Sequence, residues 1–196
     1  MLKIFSLISF IIINFYPKVL FAETSTMIAK KQPDSELSVL GLVIGKSTLT
    51  DVMTKFKSKE IYHEGDQGDV LSFLCYKASN GITLSFESKE KGSDKKTITA
   101  IAIKGSQSPY RLSKFCEKTS LIKTKLAING LSLGMSPDLV KRLKGKPSKE
   151  SGNNIIYQFE VQENSVNGVV TIASNLEIEF NQSMISGLTA SRAEIY

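Results

Sequence analysis

The chain is poor in the residue types that build most active sites. Its 196 residues include no tryptophan, one histidine and two cysteines. A zinc site made of histidine and cysteine ligands would need more of both, and a nucleophile that depends on an imidazole base would have to use His63. Hydrophobic residues make up 41% of the chain, enough for a packed core. Composition therefore favours a folded, non-enzymatic protein without a cofactor, with an unrecognised enzyme that uses His63 as an alternative.

The N-terminus has the three-part plan of a secretory signal. A short basic start with Lys3 precedes an apolar run over residues 4–15, then Pro17 and a Leu-Phe-Ala tripeptide typical of a cleavage site. A membrane anchor is the alternative, but the run of about 12 residues is shorter than the roughly 20 that a spanning helix needs. The sequence predicts a signal peptide over residues 1–22 and a flexible polar segment over 23–35. The mature protein is expected to be periplasmic or secreted, without a transmembrane segment.

Export would place the two cysteines, Cys75 and Cys116, in an oxidising compartment. Oxidising compartments allow thiols to pair, and a single pair has only one connectivity. The sequence therefore favours a Cys75–Cys116 disulfide, with two buried free thiols as the alternative.

A short motif occurs twice along the chain. Residues 37–47 read LSVLGLVIGKS and residues 126–136 read LAINGLSLGMS, with two leucines, two glycines and a serine at identical positions. Each copy leads into a helix. In the second copy Ser136 suits the N-cap and Pro137 the first helical position, and in the first copy Ser47 is expected to be the N-cap. The repetition predicts a duplicated unit.

Strands are predicted after each helix, where apolar and polar residues alternate. The predicted strands are residues 71–76, 82–86 and 97–103 in the first copy and 155–161, 169–173, 176–180 and 185–190 in the second. We therefore expect an α+β fold of two tandem modules, each a short helix or helix pair packed on one face of a three- to four-stranded antiparallel sheet. Module 1 covers residues 36–106, a basic linker 107–125 and module 2 126–196.

The second copy resembles a known family. Residues 130–138, GLSLGMSPD, lead through a helix to Gly-Lys-Pro at 145–147, a pattern similar to the repeat of the secreted beta-lactamase inhibitor proteins and of the small lipoprotein in the outer-membrane barrel assembly machine. Residues 41–56 resemble it more faintly. In the inhibitors two tandem modules form one concave sheet that grips a partner protein, so the resemblance implies this fold and protein binding. The inhibitors have a disulfide inside each module, and the lipoprotein is single-module and lipidated, so this chain departs from both.

The alternation also predicts an outer sheet face, turned away from the helices, as a surface for binding another protein in an inhibitor-like or envelope-associated role. Plain solvent-exposed surface is the alternative. The candidate partner-binding residues are Thr83, Ser85, Glu87, Gln158, Glu160, Glu177 and Glu179.

Positive charge is concentrated in the middle of the chain. Residues 111–149 hold ten Lys and Arg residues, opposed by Glu117 and Asp138 alone. Such a face would suit anionic lipid or cell wall, and ordinary solvated surface is the alternative. Nucleic acid is not expected as a partner, because aromatic and basic residues do not interleave. The candidate anion-binding residues are Arg111, Lys114, Lys118, Lys141, Arg142 and Lys144.

Two loops match ligand-binding motifs only in part. Residues 41–48, GLVIGKST, have three residues between the glycines, where a phosphate-binding loop has four, so a turn and a helix cap explain them. Residues 63–69, HEGDQGD, gather His63 and three carboxylates, but in an order unlike that of a calcium loop. A solvated loop is the simpler interpretation, and no metal or cofactor is predicted.

Overall fold

The structure is a computed structural model that describes residues 37–65, 70–89, 96–108, 110–122, 125–165 and 168–195. The predicted signal peptide and the segment 23–35 lie outside the described residues, as does most of the loop at 63–69. The helices and strands in chain order are β1 (Ser38–Val39), β2 (Leu42–Val43), α1 (Leu49–Phe56), β3 (Tyr62–Glu64), β4 (Leu71–Lys77), β5 (Thr83–Ser88), β6 (Ala100–Lys104), β7 (Glu117–Lys118), α2 (Pro137–Lys144), β8 (Lys149–Ser151), β9 (Asn154–Ser165), β10 (Gly168–Asn181) and β11 (Met184–Ile195).

One large sheet dominates the described part of the chain. Nine strands belong to it, in the order β3-β4-β5-β6-β11-β10-β9-β8, with β7 beside β4. All neighbours are antiparallel except β7, which runs parallel to β4. Strands β1 and β2 form a separate small hairpin. The fold is therefore α+β, as predicted, but its sheet is larger than the three or four strands expected for each module.

Helix α1 begins one residue later than the sequence suggested. Thr48 is the N-cap, and its hydroxyl accepts the Asp51 N–H at 3.2 Å while the Asp51 carboxylate accepts the Thr48 N–H at 2.7 Å. This reciprocal capping box needs an acidic residue three positions on, which Thr48 has and Ser47 lacks. The Ser47 hydroxyl instead accepts the Val43 N–H, so the prediction for Ser47 was wrong. In α2 the predicted cap is confirmed, since the Ser136 hydroxyl accepts the Leu139 N–H.

We expect Thr48→Ala to lower the free energy of unfolding by about 1 kcal/mol, because the Asp51 amide loses its acceptor and the Asp51 carboxylate loses the Thr48 hydroxyl as a donor. Thr48→Ser retains the hydroxyl and is the matched control, expected to unfold at nearly the same denaturant concentration. Equal midpoints for Thr48→Ala and the parent protein would show that the capping box contributes nothing measurable.

The main core lies between the two helices and one face of the sheet. Leu49 and Val52 of α1 are fully buried in the same cluster as Phe86 of β5, and Val140 of α2 joins it with Leu176 of β10. Alternate residues on each strand face this cluster. The residues between them point to the opposite side of the sheet, here called the outer face. The core therefore extends across the six strands from β4 to β9 and excludes the outermost strands β3 and β8.

The repeated motif adopts the same turn in both copies. The central residues, Leu-Gly in the first copy and Asn-Gly in the second, have φ of 54° and 79° and of 51° and 74°. Positive φ at both positions is typical of a tight hairpin turn. Val39 pairs with Leu42 in the first copy and Ile128 with Leu131 in the second, and all four side chains are buried. The sequence similarity therefore reflects a repeated local structure.

Strand β10 joins two predicted strands into one. The alternation predicts separate strands over residues 169–173 and 176–180, but Ser174 and Asn175 pair with Phe159 and Gln158 of β9 without interruption. These two polar residues do not end the strand, because hydrogen bonds to β9 and β11 satisfy their backbone on both sides. The result is a long β9–β10–β11 meander in the second half of the sheet.

Candidate functional site

Strands β3 to β6 form the first half of the sheet. Its outer face is covered by residues 110–118, here called the covering segment. Leu112 is fully buried against Leu71 and Phe73 of β4, with Phe115 packed at the margin. The predicted disulfide is confirmed, and it links Cys75 of β4 to the covering segment at Cys116. The stretch treated as a linker in the sequence analysis is therefore packed against the sheet.

Of the candidate residues Thr83, Ser85 and Glu87, the last two lie beneath this cover, in contact with Tyr110. All three point away from the helices, as the alternation predicts, but Ser85 is only 1% exposed and Thr83 is also buried. The Tyr110 hydroxyl donates to the Glu87 carboxylate at 2.9 Å and is also hydrogen-bonded to the Ser85 hydroxyl. The expectation that these three residues form an open binding surface does not hold, because Thr83 and Ser85 are buried and Tyr110 contacts Ser85 and Glu87.

Two buried tyrosines should make the fold sensitive to alkaline pH. Burial, followed by the nearby Glu87 charge, raises the pKa of Tyr110 far above its ordinary value of 10, and burial raises the pKa of Tyr76 to about 12. Above pH 10 the unfolded chain therefore binds fewer protons than the folded chain, and stability should fall as the pH rises. Denaturation at pH 9 and pH 11 should show this loss, and Tyr110→Phe should reduce it. An unchanged loss in Tyr110→Phe would contradict the assignment.

The outer face of the second half remains open. We call this surface the open face; its residues alternate with buried ones along three strands. On it Glu177 lies opposite Ile156, and Asn175 lies opposite Gln158. Gln158 and Glu160 are exposed and Glu177 is half-buried. The open face consists of Ile156, Gln158, Glu160, Gln162, Thr171, Ala173, Asn175, Glu177, Thr189 and Ser191, a set with two carboxylates. Lys149 of β8 lies at its margin on the same side of the sheet, opposite Ile156.

Glu179 does not belong to the open face. Its carboxylate forms an ion pair with Lys104 of β6 and accepts a hydrogen bond from the Ser108 hydroxyl at 3.2 Å. A Cβ on Gly187 would approach the Glu179 carboxylate to 2.7 Å and the Lys104 side chain to 2.9 Å, so the missing side chain there makes room for the pair. Glu179 therefore joins the two halves of the sheet at the β6–β11 pairing.

The candidate anion-binding residues do not form one surface. Arg111, Lys114 and Lys118 belong to the covering segment on the outer face, whereas α2 packs on the opposite side of the sheet through Val140. The sheet therefore separates them from the basic residues of α2, and an anionic surface could contact only one group at a time.

Several of these cations already have partners. Arg111 pairs with Glu64 at 2.6 Å and Lys141 pairs with Glu150 at 2.7 Å. The Lys144 ammonium donates to the Asn129 side chain, and Lys114 lies 4.7 Å from the centre of the Phe115 ring. Local pairing lowers the charge that each group can offer to an anionic surface.

His63 lies in a polar cluster on the helix side of β3 and β4. Its Nδ1 is 3.0 Å from the Ser72 hydroxyl, which also accepts a hydrogen bond from the Lys96 ammonium at 2.8 Å. Because an ammonium can only donate, the Ser72 proton is free to point at the imidazole, a nucleophile-and-base arrangement. Ser72 is only 2% exposed, so a substrate has no contact with it in this conformation.

The sequence analysis named His63 but missed Ser72 and Lys96. The strand pattern holds the signal for Ser72, since it is the direct cross-strand partner of His63. Across the next pairing lies Ser88, whose buried hydroxyl has no hydrogen-bond partner among the described residues. Lys96 could not be inferred, because it reaches the cluster from a loop.

Two further kinds of site, a metal centre and a membrane-spanning helix, are absent from the described residues. They contain no group of three or more His, Cys, Asp or Glu side chains arranged to hold a metal ion. Neither α1 nor α2 has the length and apolar character that a membrane-crossing helix requires. Comparison with known proteins finds no match to a family model, a curated protein or a solved structure.

Proposed function

We propose that the chain is an exported, non-enzymatic protein-binding module, and that its open face contacts a partner protein with a basic surface. The observation that carries the proposal is the asymmetry of the outer face. The first half is closed by the covering segment and the disulfide, while the second half presents polar and acidic side chains on long, paired strands.

The chemistry of the open face suits protein recognition. Its backbone is fixed by pairing on both sides of β10, so binding would order few residues and lose little entropy. Glu160 and Glu177 provide negative charge, which favours encounter with a basic partner and disfavours an acidic one. Gln158 and Asn175 add hydrogen-bonding groups between the carboxylates.

We infer that the sheet is built from two related modules, an arrangement that would support the same proposal. The strand order reads outward from the β6–β11 pairing as β5, β4, β3 on one side and β10, β9, β8 on the other. A capped helix follows the repeated turn in each half. Two such units sharing one sheet would match the inhibitor-like architecture that the sequence resembles. In this protein, however, one of the two equivalent outer faces is occupied by its own chain.

Charge reversal on the open face tests the proposal. The immobilised mature protein would first be used to isolate a partner from envelope extract. Calorimetry at two salt concentrations would then measure the affinity of the purified partner for the protein. Glu177→Lys should weaken binding at least about tenfold, since placing like charges together costs more than the ~1.4 kcal/mol that this factor represents. Higher salt should also weaken the parent complex.

Glu60→Lys is the matched control, because Glu60 is an exposed carboxylate before β3 and its reversal changes the net charge equally. An affinity that changes with neither substitution, or equally with both, would argue against the open face as the binding surface. A catalytic activity of the protein that His63→Ala abolishes would instead support the alternative that the protein is an enzyme.

A further inference from the structure

One edge of the sheet is only partly covered. Strand β8 pairs with β9 at Asn154, Ile155 and Ile156 alone, although β9 continues to Ser165. No strand lies along the rest of that edge in the described part of the chain. The second half of β9 is therefore an edge strand whose backbone groups can accept another strand.

The hydrogen bonds at β8 show which backbone groups point outward. The Ser148 N–H donates to the Ile156 carbonyl at 2.9 Å, and the Gln158 N–H donates to the Ser148 hydroxyl at 2.9 Å. The backbone groups of Ile156 and Gln158 thus point away from β10. Because the direction alternates along a strand, those of Glu160, Gln162 and Asn164 also point outward, while intervening residues bond to β10.

The side chains at this edge favour one kind of added strand. Glu160, Gln162, Glu163 and Asn164 are all exposed. Glu160 lies on the open face and Glu163 on the helix side, so carboxylates flank the edge on both sides of the sheet. A second copy of the chain would bring four carboxylates together at the seam, which disfavours self-pairing. Lysine or arginine side chains on an incoming strand would pair with them.

We propose that an extended, lysine- or arginine-rich segment of a partner protein binds as an added strand along residues 158–164 of β9. This rests on the proposed function and specifies how the partner is held. Main-chain hydrogen bonds to Glu160, Gln162 and Asn164 provide the attachment, and Glu160 and Glu163 select for positive charge. The segment continues the sheet from the point at which β8 ends.

A matched pair of substitutions at Gln162 tests the main-chain contacts. Gln162→Pro removes the outward N–H, whereas Gln162→Ala removes only the side chain. Proline is tolerated on an edge strand where the N–H faces away from the sheet, so Gln162→Pro should keep the parent circular dichroism spectrum. The probe is an acetylated, amidated octapeptide of repeated Lys-Lys-Val-Val, which places lysines on both faces of an added strand, with a Glu-Glu-Val-Val octapeptide as its counterpart.

We expect the lysine peptide to slow hydrogen exchange at the amides of Glu160, Gln162 and Asn164, since Val161 and Glu163 already bond to β10. Gln162→Pro should weaken its binding at least tenfold, and Gln162→Ala less than twofold. Equal effects of the two substitutions, equal binding of both peptides, absence of the alternating protection, or self-association of the protein through β9 would each overturn the proposal.

A charge-reversed variant keeps the test decisive if Gln162→Pro fails to fold. Glu160→Lys/Glu163→Lys leaves the backbone intact and should transfer binding from the lysine peptide to the glutamate peptide; unchanged preference would overturn the proposal. The isolated partner separates this inference from the proposed function. A partner that Glu177→Lys weakens and Gln162→Pro does not would refute strand addition and leave the open face as the binding surface.

Discussion

Reducing the Cys75–Cys116 disulfide should lower the free energy of unfolding by about 4 kcal/mol in the chain-entropy account of cross-links. The two cysteines are 41 residues apart, so the bond closes a long loop and restricts the unfolded chain strongly. It also anchors the covering segment at Cys116, beside the buried Leu112. Without the bond, the apolar contacts of Leu112 and Phe115, the Tyr110 hydrogen bonds and the short β7–β4 pairing are left to hold the segment.

Denaturant unfolding of the oxidised and reduced protein measures this effect. Cys75→Ala/Cys116→Ala is the control, because a reducing agent should shift its unfolding midpoint by nothing measurable. In the reduced protein, Ser85 should also become more accessible, since the covering segment that contacts it through Tyr110 is held less firmly. A stability loss below about 1 kcal/mol would show that packing alone holds the covering segment in place.

Replacing Glu179 with glutamine should destabilise the protein by about 3 kcal/mol, because it leaves a buried ammonium without a counter-charge. The Lys104 side chain is 8% exposed and that of Glu179 is 30% exposed, so the two partners are not equivalent. In Lys104→Met the carboxylate that remains still contacts water and the Ser108 hydroxyl. We therefore expect Lys104→Met to cost clearly less than Glu179→Gln.

Equilibrium unfolding of the two single variants and of Glu179→Gln/Lys104→Met tests this asymmetry. The double variant should be more stable than Glu179→Gln alone, because the unpaired charge is gone. Equal losses for the two single variants would indicate that the pair is solvated equally on both sides. A stability loss that depends strongly on salt would point to the same conclusion.

Local features of this fold could be predicted from sequence, since they depend on neighbouring residues. The cap at Ser136 and the strand around Leu176 follow from residue type and spacing. The first helix shows the limit of this reasoning. Ser47 and Thr48 are both good caps, and only the carboxylate of Asp51 decides between them.

Long-range features could not be predicted in the same way. Alternation tells which residues share a sheet face, but it does not tell which strands are neighbours or what lies over that face. Leu112 and Phe115 lie among basic and polar residues in the sequence, a composition that favours a solvent-exposed linker. The burial of this segment moved Ser85 from the candidate surface to the interior.

The candidate site was predictable to the extent that it depends on strand parity. Gln158, Glu160 and Glu177 lie on one face because they alternate with buried residues, and parity alone places them there. Glu179 points to the same face of the sheet, yet its carboxylate forms an ion pair with Lys104. That pairing depends on β6 lying beside β11, which no local pattern indicates.

The position of β11 has a consequence for how the protein folds. It follows every other strand along the chain, yet it lies between β6 and β10 and pairs Ser191 with Ala100. The sheet therefore cannot become continuous until the last strand has been synthesised, and such distant pairings form slowly. Until then β6 has a bare edge of the kind that recruits other chains, so the nascent protein should depend on chaperones longer than its size alone suggests.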